Sequence, residues 1–132
     1  MPKCIKLDTY PADSGNLTVF ENIIPGPIRR VFYIYGAGQI PRGGHRHKKT
    51  WNALICLHGH CKVNVNDGYE EACYVLDDPS TCLILEPEDW HTMEAFSQDA
   101  ILLVLSNEYY DKSDYIYEPY PSPSTISKAY SE

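Results

Sequence analysis

No stretch of this chain approaches the ~20 consecutive apolar residues of a membrane span, and Met1-Pro2-Lys3-Cys4 opens without the apolar run of a secretory signal. These absences predict a cytoplasmic protein with no membrane partner. Basic clusters are missing too: Lys and Arg occur mostly singly, and the formal charge is -7. Such a surface cannot follow a phosphate backbone, so nucleic acid is not an expected partner. A small anionic ligand is compatible, because a few local Arg and His side chains hold phosphates inside an acidic protein. The five cysteines, Cys4, Cys56, Cys61, Cys73 and Cys82, are odd in number and lack CxxC spacing. Buried free thiols fit that pattern better than disulfides, zinc or a nucleophile.

A convincing helical repeat is also absent from every long segment, and alternation of period two stands in its place. A length of 132 residues suits one domain. Strands are expected over 17–21, 30–35, 44–48, 52–57, 62–66, 70–76, 81–85, 91–95 and 100–106, which implies a barrel or sandwich. Asn66-Asp67-Gly68 signals a hairpin, because a tight turn needs residues that tolerate positive φ. Turns are also expected at Asp77-Asp78-Pro79-Ser80, Pro87-Glu88-Asp89 and His58-Gly59-His60. The polar, aromatic segment after Ser106 is expected to cap the barrel. From Glu118 onward, prolines and serines cannot bury enough apolar surface to fold alone. The expected division is therefore a β-barrel domain over 1–117 and a Pro/Ser-rich tail over 118–132.

Chemistry concentrates in Pro41-Arg42-Gly43-Gly44-His45-Arg46-His47-Lys48-Lys49. On a strand, His45 and His47 share a face while Arg46 points away, so two imidazoles enter one cavity. The glycines let backbone or ligand approach closely. Imidazole changes charge nearest neutral pH, which suits proton transfer, and the same spacing suits metal ligation. A β-barrel metal site built on such a pair adds a glutamate and a distant third histidine. His91 could be that histidine, but Asn52 stands where the carboxylate belongs, so no tight metal is expected. The plain alternative is a pair of surface histidines on an edge strand. Tyr33 and Tyr35 also share a face, either as cross-strand packing or as phenols moving protons at a substrate oxygen. Trp51 and Trp90 suit packing or the floor of a base pocket, and His58 and His60 flank a solvated turn.

The run Arg29-Arg30-Val31-Phe32-Tyr33-Ile34-Tyr35, followed by Pro41 to Lys49, resembles the dTDP-sugar 3,4-ketoisomerase family of cupins, the WxcM-like proteins. The likeness continues in order through Leu54-Ile55-Cys56-Leu57-His58-Gly59, Val65-Asn66-Asp67-Gly68, Pro87-Glu88-Asp89-Trp90-His91 and the stretch from Leu105 to Ile116, covering roughly residues 15 to 117. It implies an all-β single domain with the double-stranded β-helix, or jelly roll, of cupins. It further implies a homodimer that works without metal or cofactor on a dTDP-linked nucleotide sugar. The implied reaction isomerises dTDP-4-keto-6-deoxyglucose to its 3-keto form through an enediol, for deoxysugar biosynthesis in lipopolysaccharide or S-layer glycans. By the same resemblance His47 is the carbon base, His45 its partner near the sugar oxygens, and Tyr33 or Tyr35 handles hydroxyl protons. Arg42 belongs near the diphosphate or the enediolate, with Lys48, Asn52, Trp90 and His91 as further substrate contacts.

The chain departs from the family pattern at several points. Ser14-Gly15-Asn16-Leu17 stands in place of D-x-RG-x-L, Asn52 in place of glutamine, and Arg46 in place of a small residue. These changes bear on the substrate more than on the fold. Two other readings use the same residues: a non-catalytic cupin that binds a sugar nucleotide, and a metal-dependent cupin enzyme built on His45, His47 and His91.

Overall fold

The computed structural model describes residues 1–121; the rest of the expected tail, 122–132, lies outside the described residues. In chain order the strands are β1 (Lys3–Lys6), β2 (Asp8–Ala12), β3 (Gly15–Val19), β4 (Arg30–Tyr35), β5 (Arg42–His47), β6 (Asn52–His58), β7 (Cys61–Asn66), β8 (Glu71–Leu76), β9 (Thr81–Leu85), β10 (Trp90–Glu94), β11 (Ile101–Ser106) and β12 (Tyr115–Ile116). One 3-10 turn, Lys112–Asp114, precedes β12. No helix among the described residues is long and apolar enough to cross a membrane.

Alternation of apolar and polar side chains builds two antiparallel sheets that bury their inner faces against each other, the jelly roll of a cupin. The first runs β1-β9-β6-β11-β4 and the second β12-β5-β10-β7-β8. Between them lies a core that includes Leu54, Val63, Leu76, Leu83, Leu85, Leu102 and Val104. Leu83 and Leu102 are wholly excluded from solvent, so truncating either to alanine costs about 2–5 kcal/mol. The central strand β6 is buried on both sides, because Ala53 and Ile55 face outward into a second cluster with Leu7, Ile24, Cys82 and Ile84. The β7–β8 connection forms as expected: Asp67 Oδ1 accepts the amides of Tyr69 at 2.9 Å and Glu70 at 2.8 Å.

Strands β1, β2 and β12 were not among the expected elements. The hairpin β2–β3 is almost wholly exposed, so it has no buried face whose alternation could be read. The cysteine expectation needs one correction. All five are free, and Cys56, Cys61 and Cys82 are buried, but Cys4 and Cys73 are exposed. Both sit on edge strands, β1 and β8, where only one side chain in two meets the core.

Candidate active site

The second sheet positions the histidines. In β5 both Gly43 and Gly44 have positive φ, at 85° and 80°, a backbone region that side chains disfavour. Pairing with β10 matches His45 to His91 and Gly43 to Thr92, so Gly44 is an extra residue and the strand bulges there. A Cβ on Gly43 would lie 3.0 Å from the His91 carbonyl oxygen, which is why the close approach of the two strands requires glycine. Beyond the bulge His45 and His47 point inward, and His91 joins them from β10. Ring centroids are 5.1 Å apart for His45 and His47, and 4.9 Å apart for His45 and His91.

His47 and His91 each have one ring nitrogen engaged. His47 Nδ1 lies 2.7 Å from Asp114 Oδ2, and a carboxylate acceptor requires that nitrogen to carry the proton. His91 Nδ1 donates to the Asp89 carbonyl at 3.0 Å. The second nitrogen of these two rings is left as an acceptor for the cavity. Burial keeps all three uncharged. It depresses His45 to about 4, reinforced by His47, and His91 to about 3. For His47, burial outweighs the raising effect of Asp114 and leaves the ring below its ordinary range.

Asp114 is the hub of the arrangement. The 3-10 turn, capped by Asp111, drops it beneath the β5–β6 connection, where it is 3% exposed. Besides His47 it accepts Thr50 Oγ1 at 2.5 Å, the Lys49 amide at 2.8 Å and the Lys48 amide at 3.0 Å. Burial disfavours its charge, but the Thr50, Lys49 and His47 hydrogen bonds win and hold the carboxyl below the usual range. Tyr115 follows at once, its ring centroid 4.7 Å from His45 and 4.6 Å from His47. Its hydroxyl accepts from Arg30 Nη1 at 3.2 Å, which leaves its own proton free to donate.

The cavity so enclosed measures about 140 Å³, below the ~300 Å³ at the small end of drug-sized pockets. A hexose ring suits it, whereas a complete nucleotide sugar must lie partly outside. Arg42, Tyr109 and Tyr110 stand at its open side. Asn52 lines the interior, its Oδ1 accepting the Ser106 hydroxyl.

The structure therefore brings together His45, His47, His91, Arg42 and Asn52, and leaves out four other expected site residues. Tyr33 and Tyr35 are 62% and 70% exposed. Phe32 and Ile34 take the inward positions of β4, so strand alternation turns both tyrosines to the outer face, where they stack on each other. Lys48 has an exposed side chain, and its amide rather than its ammonium serves the site. Trp90, next to His91, faces the far side of the second sheet and lines a separate cleft of about 440 Å³ with Asn66 and Tyr120. Asp114, Thr50, Arg30 and Tyr115 were not assigned roles from sequence, although Asp114 and Tyr115 stand in the segment that carries the family likeness. Among the described residues, no group of three or more His, Cys, Asp or Glu side chains is arranged to hold a metal ion.

The chain is similar to known proteins in sequence and in fold. The family model described as WxcM-like, C-terminal (FdtA) matches residues 1–121. The TDP-4-oxo-6-deoxy-alpha-D-glucose-3,4-oxoisomerase of Aneurinibacillus thermoaerophilus is 45% identical over 105 residues, covering 77% of this chain and 76% of that protein. A histidine-to-asparagine mutant of the 3,4-ketoisomerase QdtA of Thermoanaerobacterium thermosaccharolyticum, solved with TDP-4-keto-6-deoxyglucose, superposes with a TM-score of 0.84 at 40% identity, over 89% of this chain and 87% of its own. The TDP-fucose-3,4-ketoisomerase WlaRA of Campylobacter jejuni gives 0.83 at 32% identity, over 89% of both chains. The chain belongs to the FdtA, WxcM-like family of sugar-nucleotide 3,4-ketoisomerases.

Proposed function

We propose that this protein interconverts the 4-keto and 3-keto forms of a TDP-linked 6-deoxyhexose, acting by proton transfer alone. The observation that carries the reading is His47: an uncharged buried imidazole whose Nδ1 proton is fixed by Asp114, leaving Nε2 as a base inside a hexose-sized cavity. The C4 ketone acidifies the hydrogen on C3. His47 removes that proton, and the electron pair of the C–H bond moves onto the C4 oxygen through an enediolate. Return of a proton to C4, with loss of the O3 proton, leaves the ketone at C3.

The oxygen protons need a second relay. His45, uncharged and within the same cavity, accepts from a sugar hydroxyl, and Tyr115 takes the part first expected of Tyr33 or Tyr35. Arg42 and Arg30 supply positive charge where the enediolate and the diphosphate bear negative charge. Asn52 and His91 form the cavity wall against the sugar. The scheme calls on no metal or cofactor.

We further propose a homodimer. Val31, Tyr33 and Tyr35 form an exposed patch on the outer face of β4, and Tyr10 and Leu17 project on the uncovered β2–β3 hairpin. A second copy of this chain is the occupant whose self-complementary face would cover both. Free thiols and a nucleoside-diphosphate substrate fit the cytoplasm. Incubation with TDP-4-keto-6-deoxyglucose, followed by carbon NMR of the sugar, tests the activity. A new C3 carbonyl signal is expected. Saturable binding with no product would instead identify a non-catalytic cupin.

A further inference from the structure

Three consecutive carbonyls of the Glu86–Asp89 turn hold three different groups. Pro87 accepts the His47 amide at 2.7 Å, Glu88 accepts the Tyr120 hydroxyl at 2.9 Å, and Asp89 accepts His91 Nδ1 at 3.0 Å. The turn is closed on itself by Asp89, whose Oδ2 receives the Glu86 amide at 2.8 Å. One short turn thus sets the backbone of one cavity histidine and the ring of another, and the bond between these anchors comes from a residue beyond the expected domain end.

Tyr120 is gripped from two further sides. The Arg46 guanidinium lies over its ring, 4.4 Å from the centroid. Arg46 is the residue between His45 and His47, so the same ring backs the strand that carries both. Across from it the ring packs against Gly68, where a Cβ would lie in ordinary van der Waals contact, 3.4 Å from Tyr120 Cε1. The ring therefore ties together the back of β5, the β7–β8 connection and the Glu86–Asp89 turn.

We infer that Tyr120 is a positioning residue for the histidine cluster: clamped by Arg46 and bonded to Glu88, it holds the turn that orients His47 and His91. It touches no substrate. Its effect passes through the backbone at His47 and the Asp89 carbonyl at His91. The functional unit consequently extends through Tyr120, past the boundary at 117 expected from composition. Loosening this tether leaves the chemistry of the rings intact and disperses their placement, which lowers turnover more than binding.

The test uses the full chain as Tyr120→Ala and Tyr120→Phe, with steady-state kinetics and histidine ring NMR across a pH titration. The kinetic arm rests on the isomerase reading, whereas the ring signals do not. Tyr120→Ala is expected to lower kcat about 10- to 100-fold with little change in KM, and to shift the His47 and His91 signals. Tyr120→Phe keeps the ring on Arg46 and loses only the bond to Glu88, so it is expected to fall between. A folded Tyr120→Ala with unaltered kcat and unmoved ring signals overturns the inference. Should that variant fail to fold, Tyr120→Phe with wild-type kcat and unmoved signals does the same. A wild-type protein without turnover sinks the isomerase reading instead, and the ring signals then decide the role of Tyr120.

Discussion

Opposed influences set the charge of His47. Burial lowers its pKa, the Asp114 carboxylate raises it, the Arg30 charge lowers it further, and the lowering prevails. The ring is therefore uncharged at neutral pH, the state a base must be in. The acid limb of kcat/KM is expected below the ordinary histidine value of 6.5, with a plateau above it. Asp114→Asn removes the raising influence, so the limb moves to still lower pH, and kcat falls about 10²- to 10⁴-fold as the ring loses its fixed tautomer. A limb displaced upward, or an unchanged kcat, would contradict the pairing. At this scale the histidines were legible because HxH on a strand carries its own geometry. Tyr33 and Tyr35 were misplaced because their spacing says that they share a face but not which one. Asp114 was illegible as a partner because 67 residues separate it from His47, and only the closed barrel brings them together.

The bulge at Gly44 governs how β5 presents its side chains to the cavity. Gly43→Ala would place a methyl 3.0 Å from the His91 carbonyl at a positive φ, straining the backbone and forcing β5 from β10. A loss of about 1–3 kcal/mol is expected in urea unfolding, together with reduced kcat. Wild-type stability and turnover would show that the close approach is unnecessary. Strands with a buried face were readable: β4 and β9 occupy the expected residues, and the others differ by one or two residues at one or both ends. The short edge strands were not. In β12 only Tyr115 and Ile116 pair with β5, too few for periodicity to register, yet this strand completes the site.

Over the whole molecule, the buried histidines make stability depend on pH. His45 and His91, depressed by burial from 6.5 to about 4 and about 3, take up protons in the unfolded chain before they do so in the folded one. Their contribution is complete above 6.5 and is lost as pH falls towards those values. Asp89 works the other way: burial pushes it from 3.8 up to about 6, so acid favours its folded form within that window. The histidine shifts are larger together, so lowering pH from ~7.5 to ~5 is expected to cost about 2–3 kcal/mol, read as a drop in urea midpoint. A rising midpoint would mean that Asp89 dominates. The overall architecture was legible because turns and alternation repeat at regular spacing, whereas the joining of β5, β10 and the 107–116 segment into one cavity is a property of the closed sheets. The decisive measurement follows the sugar by proton NMR in D2O, with TDP-4-keto-6-deoxyglucose supplied to the wild-type protein and to His47→Asn. Deuterium appearing in the sugar ring with the 3-keto product, abolished in the variant, is the expected result. Turnover by His47→Asn at the wild-type rate, or a wild-type protein that binds the sugar nucleotide and exchanges nothing, would contradict a proton-transferring isomerase centred on His47.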